Sequence, residues 1–165
     1  MNTQLRVRRA TVADAPAIAY LLDAVDPPTL VARMRSLPEG HAVLVAERGA
    51  GVVGFIHVAV DPSLSGDDRA QVAGLAVAAE DRRSGVGALL VDEAAAWARE
   101  HGCHGLWLGS SGRHEAAHRF YRATGFTAVD DHVEFRRPIA GAVDATTGPS
   151  RGAVTPVVVR TTPSI

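Results

Sequence analysis

What this sequence lacks narrows its functions before any motif is considered. The chain of 165 residues contains no lysine, so all 17 of its basic residues are arginine. A phosphate-hydrolysing P-loop needs Gly-Lys followed by Ser or Thr, and a chain without lysine does not supply it. The single cysteine, Cys103, excludes an internal disulfide and fits a reducing compartment. We interpret Cys103 as a small core residue, with a catalytic role as the open alternative.

Charge and hydropathy argue against three further classes of protein. The net charge is −1 at pH 7 and no block of basic residues occurs, which argues against nucleic-acid binding. No uncharged apolar stretch reaches the ~18 residues that a membrane helix needs, and the N-terminal segment lacks the pattern of a signal peptide. Seven scattered histidines without a ligand spacing do not predict a metal site. We therefore expect a cytoplasmic protein that uses no metal, and the all-arginine basic set suggests a bacterial source.

The order of elements predicted from hydrophobic periodicity, β-α-α-β-β-β-α-β-α-β-β, indicates one α+β domain over residues 1–137, with a mixed central sheet and helices on both faces. The predicted strands cover residues 5–9, 41–47, 52–60, 72–77, 105–110, 126–129 and 132–137. The predicted helices are a first one ended by Pro27 and Pro28, a second opened by Thr29, and two more at residues 85–101 and 113–124. Residues 138–165 are rich in Pro, Gly and Thr. We expect them to form a flexible tail or to carry one short strand, and completion of a neighbour's sheet is the open alternative.

The segment 72–98 is the most informative part of the chain. It reads as a buried strand, then the loop Arg82-Arg83-Ser84-Gly85-Val86-Gly87, then a helix. The first turn of a helix carries unpaired N–H groups and the positive end of the helix dipole, and glycines allow a ligand to approach it closely. Together with two arginines, these features predict a phosphate or pyrophosphate site. A dinucleotide fingerprint is excluded because Leu90 stands where the third glycine is needed.

The Arg-x-x-Gly-x-Gly pattern resembles the acetyl-CoA loop of the GCN5-related N-acetyltransferase (GNAT) superfamily. Four positions match that family's Val-x-Pro-x-x-Arg-Gly-x-Gly-x-Gly segment, namely Val77, Arg82, Gly85 and Gly87. Ala79 and Arg83 depart from it. Residues 117–126 resemble the family's second signature, Ala-x-x-Phe-Tyr-x-x-x-Gly-Phe. With the matching order of elements, the resemblance extends over residues 5–137, and it implies that the central sheet is mostly antiparallel.

The resemblance implies an enzyme that transfers the acetyl group of acetyl-CoA to a primary amine by direct attack in a ternary complex. It implies that the Val77 N–H polarises the thioester carbonyl and that Tyr121 protonates the departing thiolate. Packing and a hydrogen bond to the sulfur are the open alternative for Tyr121. The residues implied in cofactor binding are Leu75, Ala76, Val77, Arg82, Arg83, Ser84, Gly85, Val86, Gly87, Ala88, His114 and Tyr121.

The base that takes the amine proton is the weakest part of the resemblance. Many relatives place a glutamate just before the central Leu-x-Val of the strand, where this sequence has Ala73 and Gly74. His57 on the third predicted strand has a pKa range that suits a base, and a core histidine is the alternative. A water chain, or an amine that arrives neutral, also remains open.

The acceptor is implied to be a small-molecule or peptide amine held by residues 26–37, 61–69 and 130–131. The acidic residues there suit a cationic amine such as an aminoglycoside, a polyamine or a peptide N-terminus, and solvated turns are the alternative. Two other functions remain open: an acyl-CoA-binding regulatory domain without turnover, and transfer of a longer acyl group. The resemblance also leaves a homodimer open.

Overall fold

The computed structural model describes residues 4–110 and 114–129. Its five strands form one sheet in the order β1-β2-β3-β4-β5, and they are β1 (Leu5–Arg9), β2 (His41–Arg48), β3 (Gly51–Asp61), β4 (Arg69–Val77) and β5 (Leu106–Trp107). The helices are α1 (Ala15–Leu22), α2 (Pro27–Arg35), α3 (Val86–Glu100) and α4 (Glu115–Ala123), with short 3-10 turns at Val12–Asp14 and Ala79–Asp81. Strands β1 to β4 pair antiparallel, and β5 pairs parallel with β4. The predicted α+β class and the mostly antiparallel sheet are confirmed.

The sheet has an apolar cluster on each face because successive strand residues point to opposite sides. Ile56 and Val58 of β3 pack on one face in a cluster with Leu90 of α3 and residues of α4. Phe55 packs on the other face in a cluster with Ile18 of α1 and residues of α2. Helices therefore cover both faces, as predicted.

The two prolines have a different role from the one predicted. Helix α1 ends at Leu22, followed by Asp23 in the left-handed region at φ 49°. Pro27 and Pro28 begin α2, where a missing N–H loses no helical hydrogen bond and the fixed φ already suits a helix. The carboxylate of Asp26 caps this helix by accepting a hydrogen bond of 2.9 Å from the Thr29 N–H. The prediction that the prolines end the first helix was wrong.

An ion-pair network fastens the first strand to the second. The Arg8 Nε donates to Glu47 Oε1 at 2.6 Å, and its Nη2 donates to Asp14 Oδ1 at 2.7 Å. The Arg8 guanidinium lowers the pKa of both carboxyl groups below their usual range. Both carboxylates are buried, so their charges are compensated inside the fold.

Several predicted elements differ in extent or fall outside the described residues. Residues 126–129, predicted as a strand, are irregular in the described structure. A strand is defined by its pairing, and the predicted partner at 132–137 lies outside the described residues, as does the tail at 138–165. Gly125 follows α4 with φ 93°, which is the predicted helix stop. Among the described residues, no helix combines the length and apolar character needed to cross a bilayer.

Candidate active site

Among residues 4–110 and 114–129, strands β4 and β5 diverge and leave an open edge on β4. They pair only through Ala70 with Leu106 and Gln71 with Trp107, whereas β4 continues to Val77. At the far end of β4, the Ala78 N–H donates to the Val53 carbonyl of β3 at 2.8 Å. Because alternate residues of a strand direct their N–H groups to the same side, the N–H groups of Leu75 and Val77 point away from β3. The opening between β4 and β5 is therefore lined by backbone donors and acceptors of β4.

A β-bulge in β4 produces this orientation. His57 pairs with Gly74, but Val58 pairs with Val72, so Ala73 is an extra residue in β4. Such an insertion shifts the alternation of the backbone groups along the strand. The shift lies next to the point where the pairing with β5 ends. From the sequence, Ala73 and Gly74 were notable only because many relatives have a glutamate there. The structure places the β-bulge at these two residues.

Arg48, the last residue of β2, holds the loop that follows β4. The Arg48 guanidinium pairs with the Asp81 carboxylate and donates from Nη2 to Ser84 Oγ at 2.9 Å. Ser84 Oγ donates in turn to the Asp81 carbonyl at 2.6 Å. Arg82 Nε donates to the Val77 carbonyl at 3.3 Å, which ties the loop to the open edge of β4. These contacts tie the exposed loop to β2 and to the end of β4.

The two glycines of the loop have different surroundings. Gly85 precedes α3 with φ 85°, and a Cβ built on it meets no atom within 4 Å. This residue needs its left-handed conformation and leaves open space above the backbone. A Cβ built on Gly87 lies 2.8 Å from Cζ of Phe120 in α4. We predicted both glycines to admit a ligand, but at Gly87 an aromatic ring of the protein occupies that side.

Tyr121 is buried at the apolar face of the sheet and belongs to the same cluster as Leu75 and Val77. Its ring centroid lies 5.5 Å from that of Phe120 and 5.9 Å from that of Phe126, both in edge-on geometry. Burial raises the pKa of the Tyr121 phenol to about 12. The phenol is therefore protonated throughout the neutral range.

His57 lies on the other face of the sheet, beside the bulge. A Cβ built on Gly74 lies 4.0 Å from the His57 Cβ and 3.5 Å from the Phe55 ring, so these side chains share a face. His57 Nε2 lies 3.0 Å from Nδ1 of His41, which lines an open groove near the end of β1. Burial, and secondarily His41, lowers the pKa of His57 to about 4. At neutral pH the His57 ring is therefore uncharged, and the same burial makes it a weaker base than an exposed histidine.

A sequence profile described as "Acetyltransferase (GNAT) family" matches residues 11–126, which include the open β4 edge, the loop and α4. The chain belongs to the GNAT acetyltransferase family. The resemblance drawn from the two sequence motifs is thus confirmed.

One relative of this GNAT chain is an acetyltransferase whose name states its substrate. An aminoglycoside N(6')-acetyltransferase type 1 from Stenotrophomonas maltophilia is 32% identical over 142 residues, covering 81% of the chain and 93% of that relative. The chain is therefore an acyl-CoA-dependent N-acetyltransferase, as predicted.

Solved structures share the GNAT fold. A transcriptional regulator from Bacillus halodurans C-125 has a TM-score of 0.73 at 25% identity, covering 81% of this chain and 100% of that one. The aminoglycoside N-acetyltransferase AAC(6')-Iy in complex with CoA has a TM-score of 0.73 at 15% identity, covering 84% of this chain and 98% of that one. A metagenomic aminoglycoside acetyltransferase, meta-AAC0020 in complex with sisomicin, has a TM-score of 0.69 at 21% identity, covering 82% and 96%.

The structure separates the predicted site residues into groups. Leu75 and Val77 direct their backbones into the opening, whereas the intervening Ala76 pairs with Phe55 of β3 and its side chain packs towards α1. The predicted anion site, residues 82–88, forms the loop and the first turn of α3. His114 is exposed just before α4, and its side chain does not cap that helix.

Two residues of the site were missed. Arg48 and Asp81 hold the loop, but they are 33 residues apart in sequence and belong to no local motif. The sequence signal was an acidic pair directly before the two arginines of the loop, in the segment Glu-Asp-Arg-Arg, and the structure adds that Asp81 is buried. That signal does not reveal the partner.

Proposed function

We propose that this enzyme transfers the acetyl group of acetyl-CoA to a primary amine of a small cationic molecule, with both substrates bound at once. The open edge of β4 carries this proposal, because it leads directly into the loop and the first turn of α3. One continuous stretch of backbone, residues 75–88, is thereby available to a long extended cofactor that ends in phosphates.

Acetyl-CoA would be held mainly by backbone groups. In the proposed complex, Leu75 and Val77 pair with the pantetheine arm, and the pyrophosphate accepts from the free N–H groups of residues 86–88. Arg82 and Arg83, both exposed at the loop, add positive charge next to it. The Val77 N–H donates to the thioester oxygen, and a donor of this kind stabilises a developing oxyanion by about 3 kcal/mol.

The acid and the base would act from opposite faces of the sheet. The amine nitrogen first forms a bond to the carbonyl carbon, which makes its proton more acidic, and that proton then passes to the weakly basic His57 Nδ1, while His57 Nε2 keeps its contact with His41. The carbon–sulfur bond then breaks, and the thiolate takes the proton of the Tyr121 hydroxyl. Burial raises the basicity of a thiolate as it raises that of a phenol, so the acid and its acceptor remain matched.

The chemistry of the surface favours a cationic acceptor. Asp23 and Asp26 are exposed between α1 and α2, and Asp61 and Asp67 are exposed where β3 leads into β4. The 6'-N-acetyltransferase relatives named above act on aminoglycosides, whose amines are cationic. We propose an aminoglycoside-like amine as the acceptor.

A turnover screen tests this proposal. Release of the CoA thiol is measured with acetyl-CoA and, in turn, aminoglycosides, polyamines and peptides with a free N-terminus, and the product is identified by mass spectrometry. We expect thiol release that depends on an aminoglycoside and an N-acetylated product. Binding of acetyl-CoA without amine-dependent release would instead support a regulatory domain, and faster turnover of a longer acyl-CoA would replace acetyl as the transferred group.

A further inference from the structure

Gly87 of α3 faces Phe120 of α4, the residue that directly precedes the proposed proton donor Tyr121. A Cβ at this position lies 2.8 Å from Cζ and 2.9 Å from Cε2 of Phe120. Real Cβ atoms do not approach a ring so closely, so any larger residue displaces Phe120 or the start of α3. Gly87 lies inside α3, where its backbone conformation is ordinary, and its φ does not require glycine. The requirement for glycine at this position is therefore steric.

Phe120 in turn contacts the proposed acid. Its ring meets Tyr121 edge-on, and Phe126 meets Tyr121 in the same manner from a second direction. The Phe126 N–H donates to the Tyr121 carbonyl at 3.0 Å, which fixes the turn that carries this second ring. Within residues 4–110 and 114–129, no hydrogen bond orients the Tyr121 hydroxyl. Its orientation is therefore set by aromatic packing.

We infer that Gly87 is a positioning residue: it provides the space that seats Phe120, and Phe120 holds the Tyr121 hydroxyl towards the opening between β4 and β5. This inference rests on the proposed role of Tyr121. It assigns Gly87 a function that differs from that of Gly85, although both belong to the same anion-binding loop. Gly85 provides the left-handed residue before α3, whereas Gly87 packs against Phe120, which in turn contacts Tyr121.

Steady-state kinetics of paired variants test the inference. Gly87→Ala keeps the backbone N–H, so we expect kcat to fall about tenfold or more while the KM for acetyl-CoA changes less than about threefold. In a Phe120→Leu background the ring that the new methyl group would displace is already absent, so the same Gly87→Ala change should lower kcat little further. Gly85→Ala is the matched comparison: strain at φ 85° disturbs the loop and raises the KM for acetyl-CoA equally in both backgrounds.

A spectroscopic titration reads the position of Tyr121 without using activity. The chain has two tyrosines, and Tyr20 is 80% exposed. In a Tyr20→Phe background, phenolate absorbance against pH reports on Tyr121, whose pKa burial raises to about 12. Gly87→Ala should lower this pKa towards 10, the ordinary value for an exposed tyrosine, and should lower it little further in a Phe120→Leu background.

The two measurements separate the possible failures. If Gly87→Ala changes only the KM and leaves the titration of Tyr121 unchanged, Gly87 belongs to the cofactor site and the inference is overturned. If the titration shifts but kcat does not, the packing role stands and the catalytic role of Tyr121 fails. Should Gly87→Ala not fold, Phe120→Ala removes the same contact from the other side, and it must lower kcat and the pKa of Tyr121 for the inference to survive.

Discussion

The two faces of the sheet hold their titratable groups by different means. On the face covered by α3 and α4, Tyr121 is packed between aromatic rings and burial raises its pKa to about 12. On the face covered by α1 and α2, His57 contacts His41 and burial lowers its pKa to about 4. The same physical cause favours the neutral form of each group. At neutral pH one face therefore carries a protonated phenol, and the other an uncharged, weakly basic imidazole.

Removing the Tyr121 hydroxyl, the proposed proton donor, should have the largest effect on kcat. In Tyr121→Phe we expect kcat to fall by about 10²-fold, the usual size of a lost general acid, with little change in the KM for acetyl-CoA. Steady-state thiol release measures both constants. An unchanged kcat would remove Tyr121 from the reaction and leave it as a packing residue.

Removing the imidazole of His57, the proposed proton acceptor, should have the next largest effect on kcat. We expect His57→Gln to lower kcat by about tenfold to 10²-fold, because glutamine does not take a proton. His41→Gln leaves His57 in place and should lower kcat less, so it is the control for the pairing of the two rings. Equal losses in the two variants would show that the pair acts structurally.

The depressed pKa of His57 also predicts a pH dependence of stability. An unfolded histidine titrates near 6.5 and the folded one near 4, so the unfolded state binds more protons between these values. The free energy of unfolding should therefore fall as the pH drops from 7 to 5, by about 1 kcal/mol after allowing for partial exposure. Urea denaturation at the two pH values measures it.

His57→Gln provides the reference for that measurement. This variant should lose most of the difference in stability between pH 7 and pH 5. The carboxyl groups of Asp14 and Glu47 contribute little there, because their lowered pKa values act at more acidic pH. A variant that keeps the full difference would assign the pH dependence to another group.

Breaking the contacts of Arg48 with the loop after β4 should have the smallest effect on the kinetics of the enzyme. Arg48→Met breaks the contacts to Asp81 and Ser84, and partly exposed ion pairs contribute about 1 kcal/mol or less. We expect the KM for acetyl-CoA to rise about threefold with kcat nearly unchanged. Arg6→Met, which removes the ion pair between an exposed arginine and the buried Glu47 on β2, away from the loop, should leave the KM for acetyl-CoA unchanged.

Features formed by residues close together in the sequence were predictable, whereas contacts between residues far apart in the sequence were not. The loop 82–87 and the Phe120-Tyr121 pair are local patterns, so their types of element and their family were readable. The pairing of His41 with His57 depends on the register of β2 against β3, and the brace from Arg48 to Asp81 joins residues 33 apart. The contact of Gly87 with Phe120 depends on how two helices meet, which no local pattern specifies.

The prolines show that a local pattern also has more than one solution. Pro27 and Pro28 stop a helix in one context and begin one in another. The deciding feature is Asp26, whose side chain caps α2. The chain ends α1 at Leu22 instead, five residues before the first proline.

The claim that the open edge of β4 is the site of acetyl transfer has a direct test at Val77. Its N–H points into the opening and makes no bond to β3, so Val77→Pro removes the proposed oxyanion donor without removing a hydrogen bond of the sheet. Turnover of acetyl-CoA with an accepted amine is measured for this variant, with circular dichroism as the check on folding. We predict a folded protein whose kcat is about 10²-fold lower, the usual loss for one oxyanion donor. A folded Val77→Pro variant that turns over at the rate of the wild type would contradict the account.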